Sequence, residues 1–290
     1  MMMKLAFAFL YLVRLLPYHL IRRLANLLGA VLYRLIGNRR HIGQTNLALC
    51  FPEKTQAERD QILKQNFQHM TSMILEYGIC WYSSAERIDK LVTYKNKCYL
   101  DDALAQGHKI ILLYPHFCAF EMGVFKLNQT QPLLSIYSKQ KNPVMDKQMY
   151  DSRQRYHNAH IVPRTAGLLA MIKTIKATDA PFLYLPDQDF GAKDSIFVDF
   201  MGVNTATTPG LSRIAKLTNA KIIPMVTNRM NHGFELEFFP EWADFPSENA
   251  EADTLRMNQF IGEQARRLPE QYFWLHKRFK TRPEGEPGFY

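Results

Sequence analysis

Acidic side chains are absent from the first 40 positions of this 290-residue chain, although Asp and Glu number 27 in all. The same stretch holds seven of the 36 basic residues, so the other 250 positions carry only +2 of the net charge of +9. A basic excess confined to one segment argues against a nucleic-acid-binding stripe spread over the fold. The seven cations are Lys4, Arg14, Arg22, Arg23, Arg34, Arg39 and Arg40.

Long charge-free hydrophobic runs are also missing from this segment. The longest, 5–13 and 24–33, are about half of the roughly 18 to 20 residues that a membrane-spanning helix needs, and Pro17 separates them. A cleavable signal peptide is not indicated, because arginines recur and no cleavage pattern follows. Basic, apolar helices favour insertion at an anionic membrane face. Two core helices with arginines extending to the protein's own surface are the alternative, and a short span stays open.

Cysteine is scarce. The four cysteines, Cys50, Cys80, Cys98 and Cys118, show no metal-ligand spacing, which predicts reduced thiols in a cytosolic compartment. An apolar fraction of 47% with 22% charged residues is typical of a globular protein that needs no disulfides to fold. No repeat or low-complexity segment is present. We therefore predict a membrane-associating helical segment at 1–40 and one catalytic domain at 41–290.

Two sequence patterns follow the basic segment, a long helical one and then one in which strands alternate with helices. Thr55 and Glu58 form a capping box ahead of a helix that extends to about residue 82. From about residue 108, short apolar runs alternate with helical stretches, and a last helix breaks at Pro269. The predicted strands are KIILLYP, PLLSIYS, HIVP, PFLYLPD, SIFVDFMG, KIIPMVT and FELEFFP. This alternation indicates an α/β fold with a central, mostly parallel sheet flanked by helices and antiparallel additions near the end.

A histidine and a glutamate follow the first of these strands, in the sequence YPHFCAFE. Residues five apart on one helix lie about 140° apart, so His116 and Glu121 converge only if His116 lies in the turn and Glu121 in the helix. In that arrangement the carboxylate could orient the imidazole while the other ring nitrogen accepts a proton. The alternative is a histidine that ends the strand and a glutamate that complements the helix N-terminus.

Cys118 lies two residues from His116, so a cysteine nucleophile has to be considered. Its neighbours are apolar, and nothing in the sequence indicates a lowered thiol pKa. A thiol nucleophile is therefore disfavoured.

Two aspartates follow another strand, in YLPDQDFG. Asp187 and Asp189 could hold a divalent cation against the diphosphate of a nucleotide sugar. They could equally form a carboxylate turn paired with arginines.

Basic residues recur in consecutive loops after strands. Arg164 is expected just before a helix, where main-chain N–H groups also favour an anion. Solvated surface charge explains any one of these cations, but their placement is consistent with a shared anionic substrate. The set consists of Lys139, Lys141, Arg153, Arg155 and Arg164.

Taken together, these motifs resemble the late acyltransferases of lipid A biosynthesis, the lauroyl/myristoyl transferase family of Gram-negative bacteria. The similarity covers essentially the whole chain, and the motif has Glu121 where the broader glycerolipid acyltransferases usually have aspartate. The stretches that carry it are RRHIGQTNLALCFPE, EYGICWY, YPHFCAFE, RQRYHN, YLPDQDFG, FVDFMGVNTATTPGLSRIA and PEQYFWLHKRFKTRPEG.

The resemblance implies transfer of a fatty acyl chain from acyl carrier protein to a hydroxyl on a 3-hydroxyacyl chain of a Kdo-bearing lipid A precursor. It implies His116 as general base, oriented by Glu121, and main-chain N–H groups at the helix start as candidate oxyanion donors. Substrate-binding roles follow for Lys139, Arg153, Arg155 and Arg164. Asp187 and Asp189 are then expected to have a structural or substrate-positioning role rather than to bind a metal.

The expected partners are acyl carrier protein, as co-substrate, the lipid precursor and membrane lipid, with no cofactor, metal or nucleic acid. The expected location is the inner membrane, with the active site on its cytoplasmic side. Two other classes of function stay open, a metal-dependent glycosyltransferase using Asp187 and Asp189, and a non-enzymatic lipid-binding protein. Acyl chain length, the acyl chain modified, the number of transfers and the oligomeric state are not readable from the sequence.

Overall fold

The fold begins with four helices in a computed structural model that describes residues 2–156 and 159–290. They are α1 (Met2–Val13), α2 (Tyr18–Leu35), α3 (Gly37–Cys50) and α4 (Gln56–Tyr82). Pro17 precedes the first residue of α2, where its missing N–H costs no helical hydrogen bond. The predicted capping box is confirmed, because the Thr55 hydroxyl accepts from Glu58 N while the Glu58 carboxylate accepts from Thr55 N.

Helix α2 has two apolar faces. One is buried against α4, and a Cβ at Gly29 would lie 2.5 Å from the Cα of Gln68, so the two backbones are in close contact there. The other face, together with the outer side of α1 and the residues that flank α2, leaves nine large apolar side chains exposed. They are Leu5, Phe9, Tyr11, Leu12, Leu15, Leu27, Val31, Leu35 and Ile36.

Neither of these helices, nor any other in the described part of the chain, combines the length and apolarity that a membrane crossing requires. The domain boundary predicted between residues 40 and 41 falls inside α3. The division into two units stays a prediction.

Seven strands form the central sheet, in the order β1-β9-β8-β2-β5-β3-β4. All neighbouring pairs are parallel except β8 and β9, which form the antiparallel addition predicted near the end. The strands are β1 (Val92–Lys95), β2 (Lys109–Leu113), β3 (Leu134–Tyr137), β4 (His160–Pro163), β5 (Phe182–Tyr184), β8 (Ala220–Met230) and β9 (Gly233–Phe238). The prediction of a mostly parallel sheet is confirmed.

Helices connect most of the parallel strands, as the alternating pattern predicts. The connecting helices are α6 (Cys98–Ala105), α7 (Phe120–Leu127), α8 (Pro143–Arg153), α9 (Gly167–Ala177) and α10 (Gly210–Thr218), whereas α5 (Ala85–Leu91) precedes β1 and α11 (Ala250–Arg267) follows β9. Helix α8 escaped prediction, although Asn142 caps it by accepting from Val144 N and Met145 N, and Pro143 occupies its first turn.

One predicted strand lies outside the central sheet. SIFVDFMG provides β6 (Ile196–Phe200), which pairs antiparallel with β7 (Val203–Thr207) in a separate hairpin. The hairpin packs against α11, and Asn258 Nδ2 donates to the Asp199 carbonyl at 2.9 Å. The turn is placed by Gly202, whose φ of +89° few other residues adopt readily.

The chain after α11 returns to the carboxyl ends of the central strands. Phe117, just beyond β2, forms an antiparallel bridge with Tyr272. The side chain of Asn46 fixes the same segment by donating to the carbonyls of Trp274 and His276, at 2.7 and 2.8 Å. The segment 271–276 therefore borders the turn that carries His116.

Candidate active site

His116 lies immediately past β2 and is paired with Asp187, which lies just past the neighbouring strand β5. Tyr114 N donates to Tyr184 O at 2.9 Å, so the pairing of the two strands continues almost to these residues. One Asp187 oxygen lies 2.6 Å from His116 Nδ1, and the other accepts from His116 main-chain N at 2.9 Å. The imidazole is thus held in position through its ring and its backbone.

The charge on Asp187 decides which ring nitrogen holds the proton. Its side chain is 2% exposed, and burial alone would raise its pKa, but the charge and hydrogen bonds of His116 hold the pKa below the ordinary value. An ionised carboxylate only accepts, so His116 Nδ1 carries a proton, and in the neutral imidazole Nε2 is then the acceptor. The Gln188 amide nitrogen lies 3.4 Å from Nε2. The arrangement is that of a general base aimed away from Asp187.

Glu121 lies in the first turn of α7 and faces a different partner. Its Oε1 accepts from Arg153 Nη2 at 2.7 Å and from the Tyr77 hydroxyl at 3.5 Å, and the carboxylate is almost completely buried. The predicted placement, His116 in the turn and Glu121 in the helix, is confirmed. The predicted contact is wrong, because Asp187 occupies Nδ1 and the main-chain N–H of His116 while Glu121 pairs with Arg153.

Asp189 is engaged by the main chain and the C-terminal segment. Its carboxylate accepts from Gly191 N at 2.9 Å, from Thr281 N at 2.7 Å and from the Thr281 hydroxyl at 2.8 Å. Asp189 N in turn donates to His276 Nε2 at 3.2 Å. Asp187 and Asp189 therefore serve two different networks, and among the described residues no group of three or more His, Cys, Asp or Glu side chains is arranged to hold a metal.

The basic residues of the loops have separate surroundings. Arg153 ends α8 beside Glu121, whereas Arg155 donates to the carbonyls of Cys80 and Ser83 and so satisfies the end of α4. Arg164 begins a 3₁₀ turn that leads into α9, as predicted, and its guanidinium lies 5.0 Å from the Phe190 ring centroid. Two further cations are exposed at the surface, Lys139 and Lys141. In the RQRYHN motif, His157 and Asn158 lie outside the described residues.

Cys118 is buried at the inner side of the turn. Burial raises the pKa of its thiol to about 12, although the charge of Arg229 acts in the opposite direction. The disfavoured thiol nucleophile accordingly gains no support. Main-chain N–H groups that the sequence suggests as oxyanion donors are partly used, since Phe117 N bonds to Pro115 O and Cys118 N to Gln271 O.

A small cavity is lined in part by Arg153. Its volume is about 20 Å³, and it is partly open to solvent. Its lining is mostly apolar and comes from α7, α8 and the strands β3 and β5. The lining residues are Val124, Phe125, Asn128, Leu133, Ser135, Ser152, Arg153, Ala159 and Leu183.

The sequence shows Asp187 but not its partner. A weak signal exists, because groups at the carboxyl ends of adjacent parallel strands meet at one sheet edge. It requires knowing that β5 lies beside β2, which spacing alone does not reveal. Tyr77 on α4 and Gln188 beside Asp187 were missed for the same reason.

Comparison with known proteins shows which family the chain belongs to. Residues 1–281 match the family model for bacterial lipid A biosynthesis acyltransferases. A lipid A biosynthesis lauroyltransferase of Escherichia coli K12 is 34% identical over 97% of this chain and 92% of its own, and a palmitoleoyltransferase of the same strain is 31% identical over 95% and 90%. A glycerophosphate acyltransferase structure from Thermotoga maritima covers 85% of this chain and 98% of its own at 12% identity, with a TM-score of only 0.43.

The chain belongs to the bacterial lipid A biosynthesis acyltransferase family and is an acyltransferase of the lauroyl/myristoyl type. The resemblance read from the sequence is thereby confirmed. The two alternative functions, a metal-dependent glycosyltransferase and a non-enzymatic lipid-binding protein, are not consistent with membership of this family.

Proposed function

We propose that this enzyme moves a fatty acyl chain from acyl carrier protein to a hydroxyl of a 3-hydroxyacyl chain on a Kdo-bearing lipid A precursor. The observation that carries the proposal is the His116–Asp187 pair, a base with one nitrogen fixed by a buried carboxylate and the other available. A secondary hydroxyl has a pKa far above 7 and needs such a base to attack a thioester. The names of the relatives support the lipid A class of substrate.

His116 Nε2 takes the hydroxyl proton while the hydroxyl oxygen bonds to the thioester carbonyl carbon. The carbonyl electron pair moves to its oxygen and forms a tetrahedral anion. When that anion collapses, the carbon–sulfur bond breaks, and the leaving sulfur takes the proton from His116. Asp187 remains ionised throughout and stabilises the imidazolium between the two transfers, as a buried carboxylate does in a Ser-His-Asp triad.

Glu121 acts on Arg153 in this scheme. The pair is charge-assisted at 2.7 Å, and it presents the planar guanidinium at the end of α8. Such a group suits bidentate contact with phosphate and stabilisation of a developing oxyanion. Arg153 is therefore the substrate-facing member of the pair, and Glu121 fixes its orientation.

The exposed cations of neighbouring loops extend this anion-binding site beyond Arg153. Lys139 follows β3 and Arg164 follows β4, and these strands are parallel neighbours, so their loops emerge at one edge of the sheet. Phosphates and carboxylates of the lipid precursor are matched by this charge. An acidic acyl carrier protein would also be attracted to it. Arg155 is assigned a structural role, because main-chain carbonyls use its guanidinium.

The N-terminal helices attach the enzyme to the cytoplasmic face of the inner membrane. The exposed apolar side of α1 and α2 lies in a segment with seven cations and no acid. Apolar insertion and attraction to anionic lipid then act together. Not every cation is available, since Arg22 donates to the Ser72 hydroxyl at 2.6 Å and Arg39 to Leu275 O at 3.0 Å.

The cavity beside Arg153 is where we place the start of the acyl chain. Its lining is mostly apolar and suits methylenes, each of which contributes about 0.8 kcal/mol when buried. Leu133 and Leu183, on adjacent parts of the sheet, lie where they can limit chain length.

The deciding experiment is mass spectrometry of a purified lipid A precursor incubated with the enzyme and a mixture of acyl-carrier thioesters. A mass increase equal to a whole number of acyl chains is expected, and His116→Ala should form this product far more slowly. His232→Ala, which alters an exposed histidine in the β8–β9 turn, is the matched control. Acyl transfer at close to the wild-type rate in His116→Ala would contradict the assigned base, and no transfer by the wild-type enzyme would contradict the donor or acceptor.

A further inference from the structure

A buried arginine lies behind the turn that carries His116. Arg229, near the end of β8, donates from Nε and Nη2 to the two carboxylate oxygens of Glu76 at 3.0 and 2.6 Å. The two side chains are 0% and 2% exposed. A buried ion pair is weak evidence for added stability, because desolvation offsets much of the attraction. Its retention in the core therefore calls for another reason.

The second contact of Arg229 is with the catalytic turn itself. Nη2 also donates to the main-chain carbonyl of Cys118 at 2.7 Å. The N–H of the same residue donates to Gln271 O at 2.7 Å. The residue two positions after His116 is thus held at both its N–H and its carbonyl.

Gln271 links Arg229 to the C-terminal segment, which are the two groups that hold Cys118. Its side-chain amide accepts from Arg229 N at 2.7 Å and donates to Arg229 O at 3.0 Å. Two residues on, Phe273 N donates to His116 O at 3.1 Å. The guanidinium, the turn and the C-terminal segment therefore form one closed hydrogen-bonded unit, and a shift of Arg229 displaces the turn.

The same unit extends to the N-terminal helices. Tyr18, the first residue of α2, donates its hydroxyl to Glu76 Oε1 at 3.1 Å. His69 Nδ1 accepts from Arg229 Nη1 at 2.8 Å. Glu76 and His69 both lie on α4, the helix against which α2 packs.

We infer that Arg229, oriented by Glu76, is a positioning residue that holds the Cys118 carbonyl and thereby fixes the His116 turn for catalysis. This rests on the proposed role of His116 and deepens it. A role limited to stability would require the pair with Glu76 but not the contact with the turn. Small displacements of a catalytic group are costly, on the order of 100-fold in rate for about 1 Å.

The test uses the full chain with the acyl-carrier and lipid substrates. Arg229→Lys keeps the charge but cannot reach both carboxylate oxygens and the Cys118 carbonyl. We expect kcat per folded molecule to fall on the order of 100-fold, with KM changed less than about threefold. Arg278→Lys is the matched control, since that buried arginine donates to Ala206 O and the Thr207 hydroxyl instead of the turn. It is expected to lower the unfolding temperature with kcat near the wild-type value.

A double variant, Glu76→Met with Arg229→Met, separates folding from positioning. Apolar replacement of a buried ion pair commonly preserves the fold, so this protein should fold but turn over slowly. A wild-type kcat in either folded variant overturns the inference. If neither variant folds, kcat is measured for the isosteric variant Glu76→Gln, and a wild-type kcat in that variant overturns the inference. Wild-type inactivity, or full activity of His116→Ala, would instead indicate failure of the proposed function.

Discussion

Two histidines lie close to the turn between β2 and α7, and their neighbours give them opposite chemistry. His116 faces a buried carboxylate at 2.6 Å, whereas His69 faces the guanidinium of Arg229 at 2.8 Å. Burial and the charges of Arg229 and Arg22 lower the pKa of His69 to about 2, so its imidazole stays neutral and its Nδ1 accepts from Arg229. A base needs a partner that stabilises its charged form, and only His116 has one.

The comparison is tested most strongly by removing the proposed base. His116→Ala is expected to lower kcat by about 100- to 10,000-fold, the range that general base catalysis supplies. Acyl transfer measured by mass spectrometry over time gives the rate, and circular dichroism checks the fold. A loss of less than about tenfold would show that another group takes the proton.

The carboxylate that distinguishes the two histidines is the next target. Asp187→Asn keeps the shape of the side chain, but its amide can donate to Nδ1 and so favour the proton on Nε2. We expect kcat to fall by about 100- to 10,000-fold, the upper figure being the loss that this change causes in a Ser-His-Asp triad. Asp189→Asn is the control, because that carboxylate faces Thr281 and Gly191. A larger loss in Asp189→Asn than in Asp187→Asn would reverse the assignment.

Glu121 tests whether the two ends of the turn have separate roles. Glu121→Gln weakens the hold on Arg153 and leaves the His116–Asp187 contact in place. We expect kcat/KM for the lipid precursor to fall about 10- to 100-fold, less than for His116→Ala, with an unchanged pH profile. Arg153→Gln should give a similar loss, and the double variant should be little worse than either one. A loss as large as that of His116→Ala would place Glu121 in proton transfer.

The lowered pKa of His69 predicts an effect on the free energy of unfolding rather than on kcat. The unfolded chain gains a proton at this residue as the pH falls below about 6.5, and the folded chain does not until the pH nears 2. The free energy of unfolding should therefore fall with falling pH, by up to about 1.4 kcal/mol per pH unit from this group. His69→Gln should give a shallower decline between about pH 6 and 4 in urea titrations. Equal slopes in both proteins would show that His69 is protonated in the fold.

Local patterns predicted the parts of this site that depend on local structure. The capping box fixed the start of α4, and the apolar run ending at Pro115 placed His116 in a turn and Glu121 in a helix. The partner of His116 was missed because Asp187 lies 71 positions away and depends on strand order. Arg229 and Cys118 are 111 positions apart, so no spacing in the sequence connects them.

The central claim is that Asp187 holds the proton on His116 Nδ1 and leaves Nε2 to deprotonate a lipid hydroxyl. Nitrogen NMR of the enzyme labelled at its histidines measures this directly, with His116→Gln to assign the signals. A neutral imidazole protonated at Nδ1 is expected, changing towards Nε2 protonation in Asp187→Asn. A wild-type imidazole protonated at Nε2 would contradict the account.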